Sequence, residues 1–214
     1  MLKRIWEYIM STAFGFANAL CHYGTKPDGG GGGEPEPFTE AASFTLAANI
    51  SVFTNHTVRT KYPASMLTGT GTQVRILIQA GPAGWNMTEW YAGYAANPSQ
   101  LGADTSGTAL DYTDTPVLVT FNDGADTTVS LGANEEIWSD PIDLVVNGVN
   151  HLMFSTHLSG SPSDMRHDNN SNSEPSVWYY QGRGDFAEDI LPPASGRALV
   201  AQSDSAAIKA IEVR

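Results

Sequence analysis

In the stretch "QVRILIQ", residues 73–79, the β-branched side chains of Val74, Ile76 and Ile78 occupy every second position. Successive side chains of a β-strand point to opposite faces of its sheet. The alternation therefore predicts a strand that turns one face toward a hydrophobic core.

Similar strand-like runs recur through the rest of the chain, with no helical pattern between them. Turn sequences such as Asn122-Asp123-Gly124 and Asn147-Gly148 separate the runs. This organisation predicts an all-β body in which two antiparallel sheets pack as a jelly-roll-like sandwich. About ten runs are expected, at 44–53, 57–61, 73–79, 117–121, 128–131, 142–146, 151–158, 177–180, 198–202 and 208–213.

The composition agrees with such a body. A chain of 214 residues has room for one large domain with or without an appendage. Only 16% of its residues are charged and 21 are glycine, which is typical of β-rich, turn-rich proteins. Cys21 is the only cysteine, so the core cannot depend on an internal disulfide.

The charge distribution argues against a nucleic-acid partner. The formal net charge is −12. Residues 76–165 contain no lysine or arginine, although they hold eleven aspartates and glutamates. Nucleic-acid binding requires a basic surface that neutralises phosphates, so we expect no nucleic-acid binding.

Residues 1–23 carry the one strong helical pattern. Apolar side chains follow a helical spacing and also form a seam with a seven-residue period. We predict an amphipathic helix that anchors the chain to another subunit or a larger assembly; the alternative is a helix packed on its own domain. Glu7 interrupts the apolar run, so we expect neither a cleaved signal peptide nor a membrane span. The predicted anchor residues are Leu2, Trp6, Ile9, Ala13, Phe16 and Leu20.

A linker joins this helix to the body. Residues 24–37 contain five consecutive glycines followed by Glu-Pro-Glu-Pro. The glycines are flexible and the prolines favour a stiff, extended backbone. The chain therefore divides into an anchoring helix at 1–23, a linker at 24–37 and a β-sandwich at 38–214.

Two stretches of the body resemble a known element. "SDPIDL", residues 139–144, lies in a strand pair spanning 135–160 that is similar to one in the N-terminal β-sandwich of bacterial SGNH (GDSL-type) hydrolases. The stretch "TVRTKYPASMLTGTGTQVRILI", residues 57–78, more loosely resembles the arginine-bearing strand of that sandwich. The resemblance implies the sandwich and carries no information about catalysis.

In that family, a Gly-Asp-Ser nucleophile follows the sandwich. The matching residues here are Ser203-Asp204-Ser205, so serine replaces the glycine of the tight turn. No Asp-x-x-His follows, and all five histidines precede Ser205. A serine needs a base within hydrogen-bond reach to act as a nucleophile. We therefore expect no catalytic residue and no enzymatic activity.

Two aromatic groups are candidates for glycan binding. Their rings could stack on sugars, or they could be core or subunit-contact residues. The first group follows Gly81-Pro82, which predicts a loop and makes it the better candidate for sugar binding. The candidate residues are Trp85, Trp90, Tyr91, Tyr94, Trp178, Tyr179 and Tyr180.

The sequence indicates no metal or cofactor site. Residues 168–174, "DNNSNSE", begin like a calcium loop but lack its turn glycine and its bidentate glutamate, and calcium binding there is left open. Asn122, Asp123 and Asp126 are better interpreted as a turn. His151 and His157 share one side of a predicted strand without a third ligand, so we interpret them as part of a polar outer face.

The order of helix, linker and acidic sandwich is typical of virion surface proteins such as phage head decorations, spikes and fibres. We expect a non-enzymatic structural protein at the virion surface, homo-oligomeric and joined to other structural subunits through its helix. The alternative is an extracellular carbohydrate-binding module or adhesin that recognises a surface polysaccharide. An SGNH-type esterase is the least favoured reading.

Overall fold

The computed structural model describes residues 35–50, 56–96, 111–158, 165–168, 176–180, 185–191, 197–201 and 206–214. The predicted helix at 1–23, most of the linker and Ser203-Asp204-Ser205 lie outside the described residues. Pro37–Arg214 forms one compact unit.

The described part of this unit is all-β, and its paired strands are antiparallel. The prediction of an all-β antiparallel body is therefore confirmed. A single 3-10 turn, Ala64–Met66, follows the third strand. The strands are β1 Thr39–Ser43, β2 Ala48–Ile50, β3 His56–Tyr62, β4 Val74–Gln79, β5 Trp85–Asn86, β6 Trp90–Tyr94, β7 Val117–Val119, β8 Ser130–Leu131, β9 Glu136–Trp138, β10 Leu152–Leu158, β11 Met165–His167, β12 Ser176–Tyr180, β13 Arg197–Ala201 and β14 Ile208–Val213.

Two large sheets organise these strands. The four-stranded sheet has the order β1-β14-β4-β9, and the six-stranded sheet has the order β13-β12-β3-β10-β6-β7. β11 pairs with β2 and β5 pairs with β8 in two small ribbons. Strands distant in sequence are neighbours in both large sheets, so the fold depends on long-range pairing.

The two large sheets contribute to one hydrophobic core. Val74, Ile76 and Ile78 of β4 are each 0% exposed, which confirms the inward face predicted from "QVRILIQ". From the six-stranded sheet, the Tyr62 ring lies 5.8 Å from that of Phe154. Burying such side chains contributes roughly 1.5–3 kcal/mol each to stability.

The central strands of the six-stranded sheet are buried on both faces. All seven residues of β10 are buried, as are six of the seven in β3. One face belongs to the core. The other face is covered by two segments, residues 111–116 and residues 185–191. We call the second segment, residues 185–191, the strap. The coverage by 111–116 is tight at Gly93, where an added Cβ would lie 2.8 Å from Tyr112 Cδ1.

The turns behave as their sequences predict. Asn122, Asp123 and Gly124 have φ values of 56°, 59° and 80°, in the left-handed region that Asn, Asp and Gly tolerate best. The Asp140 carboxylate accepts the backbone N–H groups of Asp123 at 2.9 Å and Gly124 at 2.7 Å. The oxygen cluster at 122–126 is thus a turn tied to Asp140.

Some strand predictions need correction. Residues 142–146 form no continuous strand, since only single bridges join Ile142 to Val74 and Val146 to Gly71. Leu144 N–H bonds back to the Ile142 carbonyl at 2.9 Å, a local turn that interrupts the ladder. Conversely, β1, β5, β6, β9 and β11 were not predicted, and β6 is the most informative of them because it carries three of the glycan candidates.

Candidate functional site

The first aromatic group does not form one surface, because β6 sends its side chains to both faces of the sheet. Trp90 is 2% exposed and Trp85 is 7% exposed, and their rings meet edge to face at 5.9 Å in the core. Tyr94 packs against the same core. Tyr91 lies on the opposite, outer face. A loop was expected at the start of this group, but the structure has strands there. Of the two interpretations, sugar stacking or a place in the core, the second is correct for both tryptophans.

The second aromatic group lies in β12. The backbone of Trp178 pairs with Arg59, that of Tyr179 with Val58 and that of Tyr180 with Thr57. These three residues therefore belong to an inner strand of the six-stranded sheet, between β3 and β13.

A groove of about 530 Å³ lies beside Tyr91. Four parts of the chain line it: the segment that runs from β5 to β6, the segment that enters β8, the end of β10 and the start of the strap. Its lining residues are Asn86, Met87, Thr88, Glu89, Thr128, Val129, Ser130, His157 and Asp185.

Hydrogen bonds fix the walls of this groove. Met87 N–H donates to the Val129 carbonyl at 2.8 Å, which ties two lining segments together. The Thr88 hydroxyl donates to the His157 carbonyl, and the Thr156 hydroxyl donates to the Glu89 carbonyl at 3.0 Å. The segment 86–89 is thus held on both β8 and β10, so the groove has a defined shape.

His157 forms the inner wall and is only 7% exposed. Its Nδ1 lies 3.3 Å from the Thr57 hydroxyl oxygen, which also accepts the Phe186 N–H at 3.0 Å. The Thr57 hydroxyl proton can then be donated to Nδ1, which favours the tautomer with the ring proton on Nε2. His157 was predicted to lie on an exposed polar face; it is on the outer side of the sheet, but the strap covers it.

The rim of the groove is negatively charged. The Tyr91 hydroxyl donates to Glu89 Oε2 at 2.9 Å and lies 3.4 Å from Glu188 Oε2. Burial raises the pKa of Tyr91 well above its usual value, and the hydrogen bond to Glu89 and the negative charges of Glu89, Glu188 and Asp185 raise it further. Within the described residues, no lysine or arginine lines the groove.

A second polar cluster lies beneath the strap. Arg59, which is 0% exposed, donates from Nη2 to the carbonyls of Phe186 at 2.6 Å and Asp189 at 2.5 Å. Its guanidinium carbon lies 4.6 Å from the centre of the Tyr112 ring, within range of a cation–π interaction. The Ser155 hydroxyl donates to the Ala187 carbonyl at 2.5 Å.

The side chains of this second polar cluster hold the strap in place and are not arranged to activate a nucleophile. Tyr112 is buried, which raises its pKa to about 12, while Arg59 and the hydrogen bond with Ser155 act in the opposite direction. Ser155 donates its proton to a main-chain carbonyl, which is not a base that could activate it as a nucleophile. Sequence reasoning missed this role of Arg59 and Tyr112, because the only available signal was the polar alternation Thr57, Arg59, Lys61 along β3.

Neither a metal centre nor a membrane helix is found in the described part of the chain. No group of three or more His, Cys, Asp or Glu side chains there could hold a metal ion. No helix among those residues is long and apolar enough to cross a bilayer. Residues 169–175 of the calcium-like stretch lie outside the described residues.

Comparison with known proteins leaves the function to be argued from this geometry. A scan against protein-family models gives no match for the chain. A search of curated proteins likewise finds none with significant similarity.

Proposed function

We propose that this protein is a non-enzymatic structural component of an assembly, a virion surface protein such as a head decoration, spike or fibre. Residues 1–23 form the helical anchor, residues 24–37 act as the linker, and the body is a jelly-roll-like sandwich of the kind found N-terminal to SGNH hydrolases. The observation that carries the proposal is that the compact unit begins at Pro37, the last residue of the Glu-Pro-Glu-Pro that follows the five glycines.

The construction of the body supports a display role. A head that is exposed on an assembly must keep its shape without partners on most of its surface. Here both large sheets contribute residues to one hydrophobic core, and the outer face of the central strands β3 and β10 is covered by the chain itself. The strap is tied down by buried side chains of β3 and β10, so this part of the face is not left open for non-specific contacts.

Charge supports the same role. The net charge of −12 gives the body a repulsive surface, which favours solubility and discourages heads from associating with one another. Self-association is then directed to the apolar seam in residues 1–23.

The test is the mass of the full chain in solution. Wild type is expected to be oligomeric, and Ile9→Glu combined with Phe16→Glu is expected to be monomeric, because charges in the seam oppose helix packing. Ser11→Glu adds one such charge off the seam and should leave the oligomer intact. Light scattering after size exclusion measures all three, and a monomeric wild type or an oligomeric double variant would refute the anchor.

Carbohydrate binding by the displayed body is the second candidate function. The groove beside Tyr91 favours it, since its volume suits a small ligand and its lining is mostly polar. Binding and display are compatible, because a surface protein can also hold a polysaccharide.

A further inference from the structure

We propose that the groove beside Tyr91 binds a sugar that carries no acidic group: a neutral or amino hexopyranose of a surface polysaccharide. The inference rests on the carbohydrate-binding candidate above. The sugar-binding site is placed in the groove instead of at the buried tryptophans, and the class of ligand is specified.

The size of the groove suits a short stretch of sugar chain. Small-ligand sites generally measure about 300–1,000 Å³, and this groove measures about 530 Å³. It is open along the surface, so a polysaccharide could enter laterally without first exposing a chain end.

The lining offers the groups that sugar hydroxyls need. A sugar hydroxyl both donates and accepts hydrogen bonds. Glu89 and Asp185 can accept from such hydroxyls, and hydrogen bonds to ionised groups are the stronger kind. The Asn86 amide and the Thr128 and Ser130 hydroxyls are exposed and can donate as well as accept.

The groove also offers an apolar contact. Val129 is half-buried among the polar lining residues. The C–H face of a pyranose ring can pack against such a side chain, in place of the aromatic stacking that Trp85 and Trp90 cannot provide from the core.

The walls are held in place before any ligand arrives. Met87 is bonded to Val129, Thr88 to His157, and Glu89 to Thr156. A rigid site loses less conformational freedom on binding, so weak individual hydrogen bonds contribute more of their free energy to affinity.

The charge of the rim selects against acidic sugars. Glu89, Glu188 and Asp185 all lie close enough to the Tyr91 hydroxyl to act on it. The same carboxylates would repel a sialic acid, a uronic acid or a phosphorylated sugar, whereas neutral sugars escape this repulsion and amino sugars are attracted.

The experiment presents the full-length protein with an array of neutral, amino and acidic oligosaccharides, followed by calorimetry on the best binders. Wild type is expected to bind members of the neutral or amino sets. Asp185→Asn should weaken binding about tenfold, since it removes a charged acceptor but keeps the oxygen that accepts the Ala187 N–H at 3.1 Å. Glu89→Gln is expected to act in the same direction.

Asp143→Asn is the matched control, because this exposed aspartate does not line the groove and accepts a hydrogen bond from the Gln73 side-chain amide at 2.7 Å. It should leave affinity unchanged. Circular dichroism checks that each variant is folded, and Asp185→Asn remains informative if Glu89→Gln disturbs Tyr91.

Three results would overturn the inference: no binding to any sugar, binding to acidic sugars alone, or affinity that both groove variants leave intact. The assembly role fails separately. A chain that oligomerises but binds no sugar refutes only the groove, and a monomeric chain that binds neutral sugars refutes only the anchor.

Discussion

Replacing Arg59 by methionine tests whether the strap is held by the sheet beneath it. The substitution keeps a long side chain in the space between β3 and the strap. It removes the guanidinium that donates to the Phe186 and Asp189 carbonyls and that faces the Tyr112 ring.

The expected loss follows from these contacts. A buried carbonyl that loses its donor costs about 1–3 kcal/mol, and the cation–π contact is worth up to about 2 kcal/mol when it is shielded from water. Relief of the desolvation penalty of a buried charge acts in the opposite direction. We expect Arg59→Met to lower the free energy of unfolding by about 3 kcal/mol, a large share of the about 5–15 kcal/mol of a typical domain.

Arg75→Met is the matched control. Like Arg59, Arg75 has acceptor and ring partners, here the Glu212 carboxylate at 2.6 Å and the Phe38 and Trp138 rings at 4.6 and 4.5 Å, but its side chain is 33% exposed. Exposed ion pairs and cation–π contacts contribute about 0–1 kcal/mol each, so its loss should be about 1 kcal/mol. Urea unfolding monitored by tryptophan fluorescence compares the two.

Hydrogen exchange locates the effect. In Arg59→Met the amides of the strap should exchange faster than in wild type, whereas those of β4 and β14 should change less. If Arg59→Met costs no more than Arg75→Met, or if the strap amides keep their protection, then Arg59 is not what holds the strap.

Two further predictions concern the layer that covers the outer face. Because burial raises the pKa of Tyr112 from 10.0 to about 12, the neutral phenol stabilises the fold fully below pH 10, and about 3 kcal/mol should be lost as the pH rises from 10 to 12. Unfolding titrations should show a smaller alkaline loss in Tyr112→Phe, and equal losses would contradict the assignment. Gly93→Ala should cost about 1–3 kcal/mol in thermal or urea unfolding, since its Cβ would meet Tyr112 at 2.8 Å. Gly132→Ala, whose Cβ would meet only the flexible Glu135 carboxylate, should cost about 0.5 kcal/mol or less, and the reverse order would be inconsistent with this packing.

The alternation of apolar residues made the core strands predictable. Val74, Ile76 and Ile78 sit where period-two spacing puts them, because burial of one strand face is decided within that strand. Burial of the other face of a strand depends on residues that are distant in the sequence. Nothing in "LMFSTHL" shows that Ser155 and His157 would be covered, since the strap that covers them lies about 30 residues further along the chain.

The candidate site was likewise predictable only in those features that are local in the sequence. The sequence drew attention to the region of Trp85–Tyr94, but it could not separate the inward tryptophans from the outward Tyr91 without recognising β6. Gly81-Pro82 before the aromatic group suggested a loop, and the pairing with β10 that makes residues 90–94 a strand is non-local. The groove joins residues from four separate parts of the chain, and spacing in sequence carries no information about which of them meet.

Side chains of β3 and β10 hold the strap through its backbone carbonyls. Arg59 and Ser155 bind the carbonyls of Phe186, Ala187 and Asp189, which every amino acid possesses. The Ala187 side chain, 1% exposed, is confined by the sheet. The strap sequence can therefore change during evolution, or be replaced by a foreign epitope, while its path across the body is preserved. Variation of Glu188 would alter the charge of the neighbouring groove without disturbing the scaffold.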